Sequence, residues 1–162
     1  MTSTLFKTKN INIFAQLLTL HKAGFTYNDV RLLNMIYGVD GYTRLIDFEY
    51  VISKSCLSSG YNSSENTKYV LSRLEKLTTF QSYYPKLNSD LNASFLANPN
   101  FFFAWLCLND MVAFCNCFKL NFDNDALLYK YKITDEVSTF EAYNALIDMI
   151  LNEINPNTEK SV

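Results

Sequence analysis

The feature that most constrains this chain is the run from Phe101 to Leu120, its most apolar stretch, with Asn109, Asp110 and Asn116 set inside it. The run is long enough to cross a bilayer, but an Asp at mid-span costs about 2.5–3.5 kcal/mol on the insertion scale. It therefore reads as a helix buried in a protein core, and no membrane partner is expected. Asn98 and Pro99 precede it, an N-cap followed by a first-turn proline. The helix is expected to reach Phe118 or Lys119, with Phe101-Phe102-Phe103-Ala104-Trp105 serving as core or dimer interface rather than as a base-stacking platform.

The rest of the chain is short. Its 162 residues amount to one domain, 1–162. A chain of this length can bury roughly 68–70% of its unfolded surface and needs no staples. The apolar share is 49% and the charged share 19%, a globular balance. Residues 1–10 lack an apolar core and a small-residue cleavage site, so no signal peptide is expected. A cytoplasmic location with reduced thiols follows. Abundant Asn, Lys, Tyr, Phe and Ile, with Arg limited to Arg31, Arg44 and Arg73, points to an AT-rich source such as a mobile element.

Charge is uneven. Residues 1–87 hold 10 Lys/Arg and 6 Asp/Glu, a balance of +4, whereas residues 88–162 hold 4 and 10, a balance of −6. An anionic partner would therefore dock on the N-terminal half.

Apolar periodicity, caps and breakers predict the remaining elements. A first helix spans about Asn12 to Lys22, with Gly24 beyond its end. A second is expected from Thr26 to Tyr37, with Asp29 completing a short capping box and Gly38 ending it. Val39-Asp40-Gly41 is a turn and Tyr42 to Ile46 a short strand. Asp47 is expected to cap a third helix through Ser55, followed by a loop over 57–63. The fourth helix, from Ser63 or Ser64 to Leu77, carries Val70, Leu71, Leu74 and Leu77 as one apolar stripe. Thr78 to Tyr84 and Leu91 to Leu96 are expected to pair as a hairpin around Asn88-Ser89-Asp90. Leu127 to Ile133 reads as a weak strand, and Thr134 caps a last amphipathic helix through Ile154.

This order resembles the winged helix-turn-helix regulators of the MarR and SarA type. Two segments carry the likeness: Phe25-Thr26-Tyr27-Asn28-Asp29-Val30-Arg31-Leu32-Leu33, similar to the helix that opens the family's motif, and Ser64 to Leu77, similar to its recognition helix. The resemblance implies a mainly α fold with a small β-hairpin. Residues 12–97 would form the winged-helix core, and 98–155 the long core helix and a C-terminal dimerisation helix. It also implies a homodimer, built from the first and last helices, that binds double-stranded DNA as a transcriptional regulator or plasmid or phage accessory factor. The recognition helix would offer Lys68, Tyr69, Ser72, Arg73 and Lys76, with Lys86 on the wing. The place where the family carries an Asp-x-Arg element reads Asp90-Leu91-Asn92 here, without the Arg.

A different class fits the same composition: a small protein-binding inhibitor or immunity protein of a mobile element or bacterial competition system. Its acidic surface would include Asp110, Asp123, Asp125, Asp135, Glu136 and Glu141.

No residue set points to an enzyme. With glycine only at 24, 38, 41 and 60, no Gly-rich phosphate-cradling loop exists. His21 has no second His to join and reads as a helix-end residue near the C-terminal dipole. Cys115 and Cys117 point about 200° apart on a helix and cannot chelate together. Cys107, Cys115 and Cys117 therefore read as small buried thiols, and Cys56 as the one to test for reactivity. Asp123-Asn124-Asp125 lacks the Gly and Glu of a calcium loop. Asp47 and Glu49 lack the marks of an acid/base pair. No catalytic residues, metal or cofactor are expected.

Overall fold

The computed structural model describes residues 3–58, 63–77, 79, 89–120 and 124–154. Its centre is the expected apolar helix, here α5 (Pro99–Cys117). Asn98 caps it through its side chain, which accepts from the Phe101 amide at 3.2 Å. Every residue from Phe101 to Cys115 is buried. A helix buried on all sides must be wrapped by other elements. Six do this: α1 (Ser3–Lys22), β1 (Phe25–Thr26), α2 (Lys54–Ser58), α3 (Ser63–Leu74), α4 (Ser89–Ala97) and α7 (Glu136–Ile154), of which α7 packs most extensively. One contiguous apolar cluster joins Ile13, Leu17, Leu74, Phe95, Leu146 and Ile150 to α5. The chain is thus mainly helical with small antiparallel sheets, as expected for the fold class.

Two short sheets lie beside the helices. β1 pairs with β4 (Ile52–Ser53), with Thr26 opposite Ile52. β2 (Met35–Tyr37) pairs with β3 (Thr43–Leu45), with Ile36 opposite Arg44. The expected turn at Val39-Asp40-Gly41 joins β2 to β3, with Gly41 at φ +88° and the Gly38 amide donating to the Tyr42 carbonyl. The outer edge of β3 is closed by side chains of α1. Asn12 accepts from the Thr43 amide at 2.9 Å. Gln16 donates to the Thr43 carbonyl at 2.7 Å and accepts from the Leu45 amide at 2.9 Å. Two amides one helical turn apart thereby take the place of a neighbouring strand. Gln16→Leu leaves the Thr43 carbonyl and the Leu45 amide without these partners. It should lower unfolding stability by about 2–3 kcal/mol, read as a fall in urea midpoint at unchanged slope. A shift below about 0.5 kcal/mol would show that the clamp is dispensable.

Five expected elements are corrected. The helix over 26–37 does not form. Residues 25–26 are strand, Asn28 takes the left-handed region at φ +74°, residues 32–34 make a single tight 3-10 turn, and 35–37 are strand. The cause is long-range: the Asp110 carboxylate accepts from the Tyr27 and Asn28 amides, both at 2.8 Å, and fixes that bend. Asp29 does not cap a helix; its side chain accepts from Asn34 Nδ2 at 2.8 Å. The helix expected from Asp47 is also absent. Asp47 sits at φ +60°, Ile52 and Ser53 pair with β1, and the helix begins at Lys54. The second arm of the expected wing, Leu91–Leu96, lies inside helix α4, which sends Phe95 into the core against Phe101, Phe102 and Trp105. Of the first arm, 78–84, only Thr79 is described. The weak strand over 127–133 is largely helix, α6 (Asn124–Tyr131), with Leu127 and Tyr131 one turn apart against the core and Lys132 at φ +46° after its end. The last helix is capped by Asp135 rather than Thr134: Asp135 Oδ1 accepts from the Ser138 amide at 2.8 Å, and Ser138 Oγ accepts from the Asp135 amide at 3.2 Å.

Candidate functional site

The face expected to meet DNA is only partly assembled. Val70, Leu71, Leu74 and Leu77 are buried, so the stripe of α3 turns inward as the spacing requires. Lys68, Tyr69 and Ser72 are exposed on the opposite side, and Tyr69 is 64% exposed. Arg73 is half-buried on the flank. Lys76 is exposed but lies past the last residue of α3, in a turn. Lys86 lies outside the described residues.

The cations of this face already have acidic neighbours. Lys68 Nζ is 3.7 Å from Glu65, and Arg73 is 3.8 Å from Glu49 while stacking over the Tyr50 ring at 5.0 Å. Such exposed pairs are worth about 0–1 kcal/mol each and would yield to a stronger anion. The net field is the larger obstacle, since Lys68, Arg73 and Lys76 stand beside Glu49, Glu65 and Glu75 and the formal charges cancel.

A second candidate surface is a segment of exposed apolar side chains, which project from both sides of the β2–β3 hairpin because Ile36 and Tyr37 alternate along β2. Half of the strongly exposed large apolar residues among the described ones fall within residues 32–42: Leu32, Leu33, Ile36, Tyr37, Val39 and Tyr42. Leu33 is 80% exposed and Val39 fully so. The hairpin under them is held locally. Arg44 pairs with Asp40 across the turn and lies over the Tyr42 ring at 5.8 Å. That pairing, aided by the Tyr42 amide, holds the Asp40 carboxyl down at about 2. A carboxyl depressed in the folded state contributes stability above its ordinary value, and that contribution is lost as pH falls through about 2. The hairpin tip is therefore set throughout the neutral range. Arg31, the other cation of this face, lies 3.4 Å from Asp29.

The third feature is buried. His21 lies in the last turn of α1, as expected, but its side chain points inward. Its Nε2 is 2.9 Å from Asp110 Oδ2 and its Nδ1 is 2.6 Å from the Tyr143 hydroxyl. With the Asp110 carboxylate as acceptor, Nε2 carries the hydrogen and Tyr143 donates to Nδ1. Burial, with Cys107 and Asp110 alongside, pushes the Tyr143 hydroxyl well above its ordinary value and keeps it a neutral donor. Asp110 thus gathers His21 and the Tyr27 and Asn28 amides, tying α1, α5, α7 and the left-handed bend to one carboxylate. Sequence reasoning missed this hub, although a charge inside an apolar run requires a partner and the chain has a single His to offer.

The hub also removes Asp110, 1% exposed, from the expected acidic surface. Asp135, although it caps α7, and Glu141 remain exposed, Glu136 is half-buried, and Asp123 and the side chain of Asp125 lie outside the described residues.

Reactive chemistry finds little support. Burial pushes the Cys107 thiol far up, the Cys115 thiol up to about 12 and the Cys117 thiol up to about 11. Cys56 is exposed. Native protein should expose one fast-reacting thiol to a disulfide reagent at neutral pH, lost in Cys56→Ser, with the other three reacting only on unfolding. Fast labelling of two or more sites would contradict the burial described. Among the described residues no group of three or more His, Cys, Asp or Glu is placed to hold a metal ion, and no helix is long and apolar enough to cross a membrane. No protein-family model, curated protein or solved structure matches the chain.

Proposed function

We propose that the chain is a protein-binding module of the inhibitor type, which docks its partner through the hairpin face of residues 32–42. The supporting observation is the exposure of Leu32, Leu33, Ile36, Tyr37, Val39 and Tyr42 on one short segment. Monomeric domains rarely leave large apolar patches in water, and such patches mark interaction surfaces. The chemistry of the partner follows from charge. Both arginines of this face are already paired within the chain, Arg31 with Asp29 and Arg44 with Asp40. The partner therefore presents a neutral apolar surface, and its affinity is insensitive to salt. Ile36→Asp with Val39→Asp should abolish retention of the partner at high salt and leave the melting temperature unchanged. Equal retention of the same partner by that variant would overturn the proposal.

A second reading, the homodimeric winged-helix DNA-binding protein, rests on Lys68, Tyr69 and Ser72 exposed together on α3. Its motif lacks the helix expected over 26–37 and the strand arm expected over 91–96. The apolar positions of the expected dimer helices, Ile13, Phe14 and Leu17 of α1 and Leu146, Ile150 and Ile154 of α7, are buried within the chain. Titration of a labelled duplex against salt separates the two readings. DNA binding gives log K falling with slope about −0.9 per phosphate neutralised and is lost in Lys68→Ala with Arg73→Ala. The hairpin reading gives no duplex binding at low salt.

A further inference from the structure

A hollow of about 320 Å³ lies on the outer side of α1, between that helix and the chain from β3 to Phe48. Ala15, Thr19 and Leu20 form one wall, and Leu45 and Phe48 the other. Ala15 and Thr19 are exposed one turn apart, and their small side chains leave the hollow open to solvent. Little in it asks for a polar occupant. Thr19 Oγ1 donates to the Ala15 carbonyl at 2.9 Å. Gln16 also lines the hollow, and its amide is bonded to both Thr43 and Leu45. Phe48 is 54% exposed yet held in place, its ring edge-on to buried Tyr27 with centroids 5.6 Å apart. A second hollow shares Ala15, Gln16 and Leu45 with the first and runs on to Tyr42 and Arg44. The groove they form reaches the hairpin that carries the exposed segment of residues 32–42. Arg44, the one charged side chain among the described residues lining either hollow, is paired with Asp40.

Resting on the hairpin reading above, we infer that the partner anchors itself in this groove with a tryptophan side chain, its indole seated between Leu20, Leu45 and the Phe48 ring. Protein interfaces concentrate their binding energy in a few anchors that fill pockets, with Trp, Tyr and Arg foremost. An indole meets the Phe48 ring at the seat and the Tyr42 ring toward the hairpin, contacts that an aliphatic side chain cannot match. An arginine anchor finds no acid among the described lining residues. The indole displaces water without breaking the bonds that Gln16 and Thr19 already make. The groove thereby extends the docking surface from the hairpin onto α1 and adds a concave element to the projecting side chains of residues 32–42.

The test uses N-acetyl-tryptophanamide as a neutral stand-in for the anchor and N-acetyl-leucinamide as its aliphatic twin, each titrated into the isotopically labelled full chain and followed by NMR. The Leu45 backbone amide and the Gln16 side-chain amide should shift saturably with the indole compound. The leucine compound should bind about threefold or more weakly, the loss of the ring contacts. Ala15→Leu, a good helix former that fills the hollow, should abolish the saturable shift, its melting temperature showing that the fold survives. Phe48→Leu keeps the wall apolar but removes its ring, and should bring the two compounds to about equal affinity. It decides alone if Ala15→Leu unfolds. Ile36→Asp with Val39→Asp, the variant that tests the hairpin reading, should leave binding of the indole compound unchanged, so that the two claims fail separately. Shifts that never saturate or that centre elsewhere, equal affinity of the two compounds for the unaltered chain, a preference for the indole that survives Phe48→Leu, or a saturable shift that survives in folded Ala15→Leu would each overturn the inference.

Discussion

Asp110→Ala is expected to destabilise the protein by about 3–5 kcal/mol, the cost of leaving three buried donors without their acceptor. Asp110 accepts from three donors at once: His21 Nε2 and the amides of Tyr27 and Asn28. Truncation leaves all three without that acceptor in a site only 1% exposed on the Asp110 side. For a domain of this size each kcal/mol lowers Tm by roughly 2–4 °C, so the melting temperature should drop by about 10 °C. His21→Leu should cost less, because Asp110 keeps the Tyr27 and Asn28 amides and the Tyr143 hydroxyl is the one further group to lose its partner. The double substitution should cost less than the sum, since the two share a contact. A loss below about 1 kcal/mol for Asp110→Ala would mean that the bend at Tyr27-Asn28 is held by something other than this carboxylate.

Phe114→Ala is the second large effect, about 3–5 kcal/mol for an aromatic core truncation. Phe114 is fully buried, with ring centroids 5.8 Å from Phe14 and 5.1 Å from Phe118. It joins α1 to the far end of α5, so the cavity would open where two elements meet and neither can easily collapse into it. Val39→Ala is the matched control. Its side chain is fully exposed, and its change should stay within about 0.5 kcal/mol. Urea unfolding of the two variants at equal slope measures both. A small effect at Phe114 would contradict the placement of α5 at the centre of the core.

These two residues also show what could be read in the sequence. The core helix was legible because Asn98-Pro99 is a local signal and the apolar run is long. Helix α3 was legible because Val70, Leu71, Leu74 and Leu77 repeat at helical spacing. The stretch from Phe25 to Tyr37 was not, nor was the strand Ile52–Ser53, because these strands have two or three residues each, too few for an alternating pattern to register; between them the turn at 39–41 and the strand after it were legible. The course of the first stretch is set by Asp110, 82 residues beyond Asn28, a contact that no local window contains. Leu91–Leu96 and Leu127–Ile133 failed for another reason: apolar runs this short suit strand or buried helix equally. The hairpin face was missed. Leu32, Leu33 and Ile36 fall within the helix expected over 26–37, whereas the strand and tight turn that form instead leave them in water. The polar face of α3 was placed correctly as exposed, but its balance of charge depends on Glu49, which only the fold brings beside Arg73.

The central claim is that residues 32–42, rather than α3, meet the partner. Photo-crosslinking tests it most directly, with a benzophenone side chain placed at Val39 in one variant and at Tyr69 in another, each expressed in the cell that makes the protein. The account predicts a discrete protein adduct from Val39, formed equally at low and high salt, and none from Tyr69. An adduct with DNA or protein from Tyr69 and none from Val39 would contradict it, and an adduct of twice the chain's own mass from Val39 would replace the foreign partner with a second copy.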